Sequence, residues 1–219
     1  MTKMTREEVQ RFVGNGEGQF VEFKLRVPEP ARLAKEVIAF ANSGGGRVFI
    51  GVDDDGTIVG VKDSAEEEFA LQEALNRYCR PKMKWSSVRV PITSKRDVIV
   101  VTVGSSPKKP HFVLVKPRGR SGPAYVRVQD MSVEASPESI MLMRAERLDE
   151  GVHFEFGKTE LLLMRYLEQY SKVTVPGFAQ IGNLSKKEAG GILVTLTRAG
   201  ILDQYREARG DYYMISFKE

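Results

Sequence analysis

The sequence predicts an α+β fold, with a mixed-sheet domain followed by a small winged helix-turn-helix domain. Apolar residues recur at three-to-four spacing between residues 30 and 41, which is typical of an amphipathic helix. Runs rich in valine and isoleucine, such as 48–52 and 98–103, are typical of strands. An Asp55-Gly56 turn joins the first of these runs to another and predicts a hairpin. Helices mixed with adjacent hairpins are the α+β pattern.

The first domain is predicted over residues 1–150. A short helix over 5–13 ends at Gly14-Asn15-Gly16, and a strand follows around Glu22. Pro30 opens the next helix, because proline suits the first helical turn, and the glycines at 44–46 end it. The remaining elements are strands at 48–52 and 57–61, a helix at 64–80 with acids in its first turn, strands near 88–92, 98–103, 112–115 and 125–128, and a helix over 137–148.

The second domain is predicted over residues 151–219. Helices at 158–170, 175–181 and 185–198 precede β segments at 201–205 and 212–217, which is the winged helix-turn-helix pattern. Ser185 is the predicted N-cap of the third helix, where Lys186 and Lys187 would contact DNA. Nine basic and eight acidic residues from Gly151 onward leave a protein-contact role equally open. The predicted core of the first helix of this domain comprises Leu161, Leu162, Met164 and Leu167.

Composition excludes several classes of site. The single cysteine, Cys79, excludes an internal disulfide and a cysteine-based zinc site, and two histidines are too few for a histidine-rich one. Any metal would therefore bind carboxylates. No run of about 18 apolar residues exists, and the first ten residues lack an apolar signal core, so we expect a cytoplasmic protein without membrane contact.

Charge is unevenly distributed along the chain. Residues 53–73 hold eight acids and one lysine, an arrangement that also suits a solvated helical face. Residues 74–129 hold thirteen lysines and arginines and one acid. This basic block predicts contact with a nucleic-acid backbone. The predicted phosphate contacts in it are Lys108, Lys109, Lys116, Arg118, Arg120 and Arg127.

The predicted strand around Glu22 carries charges on one side. Alternation places Val21, Phe23 and Leu25 on the core face, with Glu22 and Lys24 on the opposite, solvent-facing or site-facing side. Glu17 lies between two glycines that can redirect the backbone, so it can turn toward Glu22. From spacing alone, an ordinary exposed row of charges remains the alternative.

Three motifs resemble the Schlafen-type Alba-like domain. They are VEFK at 21–24, EVIAFANSGGGRVFIGVDDDGTIVGV at 36–61 and PAYVRVQDMSVEAS at 123–136. In Schlafen nucleases a three-carboxylate, metal-dependent site cleaves RNA, and the matching residues here are Glu17, Glu22 and Asp54. The resemblance implies that these residues bind a divalent metal, and Mg²⁺ or Mn²⁺ fits because these ions prefer oxygen ligands. Lys24 lies on the same strand face as Glu22, so it would neutralise charge on the scissile phosphate. The resemblance also implies an endoribonuclease acting on structured RNA such as transfer RNA.

The resemblance leaves an alternative function open. Many prokaryotic proteins with these motifs carry a winged helix and are labelled transcription regulators, so a DNA-binding regulator without catalysis is the second hypothesis. The chain holds one copy of the domain, whereas vertebrate Schlafen nucleases pair two lobes, so a homodimer is expected to supply the second lobe. An older ATP-binding label for the domain is not supported, because no Lys-Ser or Lys-Thr follows the glycines at 44–46.

Overall fold

The computed structural model describes residues 4–114, 116, 119, 122–147, 151–152 and 154–217. Contacts divide the chain into two units, Met1–Glu134 and Ala135–Glu219. The sequence places this boundary at residue 150. The structure places it earlier because the helix at Pro137–Ala145 packs against the helix at Lys186–Arg198 of the second unit.

The first unit combines helices and strands, which confirms the α+β prediction. Its elements are α1 (Arg6–Gly14), β1 (Val21–Lys24), α2 (Pro30–Ala41), β2 (Gly45–Ile50), α3 (Ser64–Tyr78), β3 (Cys79–Arg80), β4 (Trp85–Thr93), β5 (Arg96–Gly104), β6 (Phe112–Val113), β7 (Tyr125–Val128) and β8 (Met131–Glu134). Four strands form a mixed sheet in the order β1-β2-β5-β4. β1 runs parallel to β2, and the other neighbours are antiparallel.

Both faces of this sheet are covered. Phe23 and Phe49 point toward α1, where they pack with Val9 and Val13. Val48 and its neighbours on the other face pack against α2 and α3. Because Glu22 is paired in register with Val48 in a parallel ladder, its side chain lies on the face covered by α2. The side predicted to be solvent-facing or site-facing is therefore largely buried.

The predicted hairpin after β2 forms only in part. A turn is present, since the Gly56 N–H donates to the Asp53 carbonyl, but residues 57–61 make isolated bridges instead of a strand. Gly51 and Gly60 explain the difference, because both have positive φ and their backbones cross closely. A Cβ on Gly51 would lie 3.0 Å from the Gly60 Cα. Only glycine accommodates this crossing easily.

Asn42 follows the last turn of α2 and is buried. Its Nδ2 donates to the carbonyls of His111 (3.0 Å) and Tyr125 (2.9 Å), and its Oδ1 accepts the His111 N–H (2.7 Å). One amide side chain therefore ties α2 to two points on either side of the sequence segment that holds Lys116, Arg118 and Arg120.

The second unit consists of α4 (Pro137–Ala145), α5 (Lys158–Tyr170), α6 (Val175–Gly182), α7 (Lys186–Arg198), β9 (Leu202–Tyr205) and β10 (Tyr212–Ile215). Ser185 is the N-cap of α7, as predicted, and the structure adds a capping box with Glu188. The core prediction for α5 was wrong for Leu161 and Leu162, which are exposed, because Leu163 and Leu167 form the inward face. Among the described residues, no helix is both long and apolar enough to span a membrane.

Gly46 allows β2 to pack closely against α2. A Cβ built on Gly46 would lie 2.3 Å from the Phe40 Cδ1 and 2.9 Å from the Phe20 carbonyl oxygen. We expect Gly46→Ala to lower the free energy of unfolding by about 1–3 kcal/mol, the usual effect of overpacking, in urea denaturation. Gly104→Ala is the control, because nothing lies within 4 Å of a Cβ there. Equal losses in both variants would contradict the packing argument.

Candidate functional site

Glu22 lies at the centre of the candidate site. Its side chain is only 8% exposed, and each carboxylate oxygen accepts from a different cation. Oε1 lies 2.5 Å from the Lys24 Nζ, and Oε2 lies 2.9 Å from the Arg127 Nη1. Lys24 also donates to the Phe23 carbonyl at 2.6 Å. A carboxylate removed from water needs such partners, so its burial is explained by the two cations.

The side chain of Arg127, on β7, is completely buried and also forms an ion pair with Glu36. Its Nη1 lies 3.3 Å from the Glu36 Oε2 on α2, while Nη2 donates to the Gly18 carbonyl at 2.8 Å. Ser132 on β8 also donates to Glu36. The guanidinium carbon lies 4.7 Å from the centre of the Phe40 ring. The prediction that Arg127 binds a nucleic-acid backbone is corrected here, because the side chain has no solvent access and already bridges two carboxylates.

Glu17 lies in the loop before β1 and folds back along the strand. Its Oε1 accepts the Phe23 N–H at 2.6 Å, and the positive φ of Gly16 allows the preceding turn. Partial desolvation raises the pKa of Glu17, with further raising effects from the charges of Glu22 and Asp54. The Phe23 hydrogen bond and the Lys24 charge oppose that rise in pKa. Two of the predicted carboxylates therefore contribute, after desolvation, to the raised pKa of the third.

Asp54 lies at the exposed tip of the turn after β2. Asp53 accepts the Asp54 N–H at 2.9 Å, and Asp55 accepts the Thr57 N–H at 2.7 Å. These bonds identify Asp53 and Asp55 as turn-forming acids. In the described part of the chain, the Asp54 carboxylate has no such bond.

The donor set fits Mg²⁺ or Mn²⁺ by its chemistry, since these ions prefer carboxylate oxygens. The Lys24 ammonium occupies one oxygen of Glu22 in this structure. Among the residues that the structure describes, however, no group of three histidine, cysteine, aspartate or glutamate side chains is close enough to hold an ion. A metal bound to all three carboxylates would require them to draw together.

The predicted phosphate contacts are dispersed. Lys108 and Lys116 are exposed in the first unit, and Lys109 is partly buried there. Arg118 and Arg120 lie outside the described residues. Lys186 and Lys187 are exposed at the start of α7, in the second unit.

His111 has a structural role. It is buried, with Nδ1 2.7 Å from the Pro81 carbonyl oxygen and Nε2 2.7 Å from the Ser106 Oγ. Desolvation lowers the pKa of His111 despite the Pro81 hydrogen bond, which raises it. Trp85, Tyr78 and Tyr125 are partly buried and pack against the core of the first unit.

Sequence reasoning missed Glu36 and Ser132. Glu36 is buried on the inward side of α2, between Leu33 and Val37. An acid inside an apolar helical stripe signals a buried ion pair. Nothing in the sequence identifies Arg127 as its partner, because the two residues are 91 positions apart.

We expect Glu17→Gln to stabilise the protein at pH 7 and not at pH 4. The raised pKa means that the folded chain binds this proton more tightly than the unfolded chain, so stability is lost as pH rises through the folded pKa. Glutamine keeps the oxygen that accepts the Phe23 N–H. Thermal melts should show a gain of about 1–2 °C at pH 7.

Glu7→Gln is the matched control for Glu17→Gln. The pKa of Glu7 is lowered, chiefly by a backbone hydrogen bond, so Glu7→Gln should lower the melting temperature at pH 7. A Glu17→Gln melting temperature at or below that of wild type at pH 7 would contradict the assignment.

No curated protein matches the chain significantly. Among solved structures, it is similar to the N-terminal domain of a protein from Nitrosomonas europaea described as ATP-dependent DNA helicase RecG-related. That match has 22% identity and a TM-score of 0.43, and covers 57% of this chain and 89% of that one. The DIP2311 protein from Corynebacterium diphtheriae is similar over 90% of this chain, with 19% identity and a TM-score of 0.43, and the match spans 34% of its length.

A family model described as Schlafen, AlbA_2 matches residues 17–136, more than half of the chain. The chain therefore belongs to the Schlafen, AlbA_2 family.

Proposed function

We propose that the protein binds nucleic acid and acts as a divalent-metal-dependent endoribonuclease. Family membership suggests nucleic-acid binding. The observation that carries the catalytic part is that the three acids belong to neighbouring segments. Glu17 folds back from its loop to accept the Phe23 N–H, next to Glu22 on β1, and Asp54 lies in the turn after β2, which pairs with β1. Charges accumulated in this way favour a cation, and these three residues would hold Mg²⁺ or Mn²⁺.

The chain's own residues would orient and neutralise the substrate. A bound metal supplies activation of water or stabilisation of the leaving oxygen of a phosphodiester. Lys24, only 17% exposed and beside Glu22, would place a positive charge against the scissile phosphate. The exposed Lys108 and Lys116 would contact the phosphate backbone of the substrate, a structured RNA such as transfer RNA. A homodimer would supply the second lobe.

Asp54→Ala is the sharpest test of catalysis, because Asp54 is exposed and its side chain supports no described element. Labelled transfer RNA is incubated with each protein in Mn²⁺, Mg²⁺ or EDTA. We expect metal-dependent cleavage by wild type and a loss of roughly 100-fold or more in the variant, with unchanged RNA binding. Asp55→Asn keeps the acceptor for Thr57 and should cleave as wild type does. Cleavage by Asp54→Ala at the wild-type rate would refute the assignment.

The second candidate function is a DNA-binding regulator that does not cut. The specific observation in its favour is that both oxygens of Glu22 already bind Lys24 and Arg127, as in a purely structural ion pair. The order of helices and hairpin in the second unit supports a winged helix, with α7 presenting Lys186 and Lys187 to the major groove.

The double variant Lys186→Glu and Lys187→Glu tests the regulator. If α7 contacts the duplex, the affinity for duplex DNA should fall by about tenfold or more, and the salt dependence should lose a slope of about 2. Fluorescence anisotropy at several salt concentrations measures both quantities. Lys158→Glu, at the exposed start of α5, is the control. Unchanged DNA affinity in the double variant would exclude this role for α7.

A further inference from the structure

The two cations that bind Glu22 differ in how firmly each is held. Lys24 keeps 17% of its side-chain surface exposed, whereas Arg127 keeps none. Both charges face the same carboxylate at hydrogen-bond distance. Their remaining contacts decide which of them can leave.

Arg127 is fixed by contacts with four parts of the first unit. It binds Glu22 on β1, Glu36 on α2, Ser132 on β8 and the carbonyl of Gly18 in the loop that carries Glu17. Removing it would leave two buried carboxylates without their partner, which is strongly unfavourable. Arg127 therefore connects the strand of one candidate ligand to the loop of another.

Lys24 is held by much less. Apart from Glu22, its ammonium binds only the Phe23 carbonyl among the described residues. The lysine stem has four rotatable carbons, so the ammonium can swing to solvent with little change in the backbone. A divalent cation at Glu22 Oε1 would meet this ammonium within contact distance, and two cations cannot share that place.

We propose that Lys24 stands in for a divalent cation on Glu22 and is displaced when the metal binds, whereas Arg127 is a positioning residue that stays in place. The inference rests on the metal site of the proposed function. The displaced ammonium remains charged, so metal binding would free it to meet the phosphate of the substrate. Lys24 thereby tunes the metal affinity of the site, and Arg127 sets its geometry.

Mn²⁺ binding without RNA tests both roles. The free Mn²⁺ signal in electron paramagnetic resonance gives the affinity of wild type, Lys24→Met and Arg127→Lys. Loss of the competing charge should make Lys24→Met bind about tenfold more tightly. Arg127→Lys keeps the charge but loses the forked contacts, so it should bind about tenfold more weakly.

Two controls separate these effects from general charge and from misfolding. Arg26→Met removes an exposed positive charge two residues from Lys24, and its Mn²⁺ affinity should stay within about threefold of wild type. Circular dichroism checks the fold of each variant. If Arg127→Lys does not fold, Ser132→Ala tests the same network, because Ser132 contacts both Arg127 and Glu36, and it should also bind more weakly.

The outcomes distinguish this inference from the proposed endoribonuclease. Equal Mn²⁺ affinity of Lys24→Met and wild type overturns the displacement, even if wild type cleaves RNA. Tighter binding by Lys24→Met supports it, even if no RNA is cleaved. Absence of Mn²⁺ binding by both proteins overturns the inference and the metal site together. An affinity of Arg127→Lys equal to that of wild type overturns the positioning role.

Discussion

The candidate site depends on the pairing of Glu22 with Arg127 in the interior of the first unit. A buried carboxylate and a buried guanidinium are each costly alone, and removing one partner typically costs about 3–5 kcal/mol because the other is left unpaired. Arg127 comes from β7, 105 residues after Glu22. The site therefore exists only when the two ends of this unit have been brought together by folding.

The position of Glu22 on an edge strand explains how the other two candidate carboxylates are placed near this strand. β1 is an edge strand of the four-stranded sheet, so the loop before it can fold back and bring Glu17 alongside Phe23. The turn that carries Asp54 follows β2, the neighbour of β1. The ion pair between Glu22 and Arg127 thus supports the adjacent elements that carry the three candidate carboxylates.

The sequence predicts what depends on local pattern. Periodic apolar residues locate α2, and the valine-rich runs locate β2 and β5, because these patterns report burial on one face or two. Family motifs select Glu17, Glu22 and Asp54. The winged helix and the roles of the carboxylates remain predictions, because a fold pattern or a spacing does not establish an activity.

The sequence-based predictions were wrong where residues distant in the sequence determine the environment of a side chain or the path of the backbone. Arg127 reads as a phosphate contact because its neighbours in sequence are basic, yet its environment is set by acids on β1 and α2. Leu161 and Leu162 read as core because α5 is rich in leucine, and only tertiary packing selects Leu163 and Leu167. The predicted strand over 57–61 does not form, because the backbones of Gly51 and Gly60 cross closely and isolated bridges replace a regular ladder.

The Asn42 side chain has a consequence for the length of the loop that its hydrogen bonds close. By binding His111 and Tyr125 it closes the base of the intervening segment, and the Val113 N–H adds a bond to the Pro123 carbonyl. Doubling the length of such a closed loop costs only about 0.6 kcal/mol in closure entropy. Closure entropy therefore does little to fix the length of chain between His111 and Tyr125. Packing constrains its two ends instead, because Leu114 is buried and a Cβ on Gly122 would lie 1.6 Å from the Val113 carbonyl oxygen.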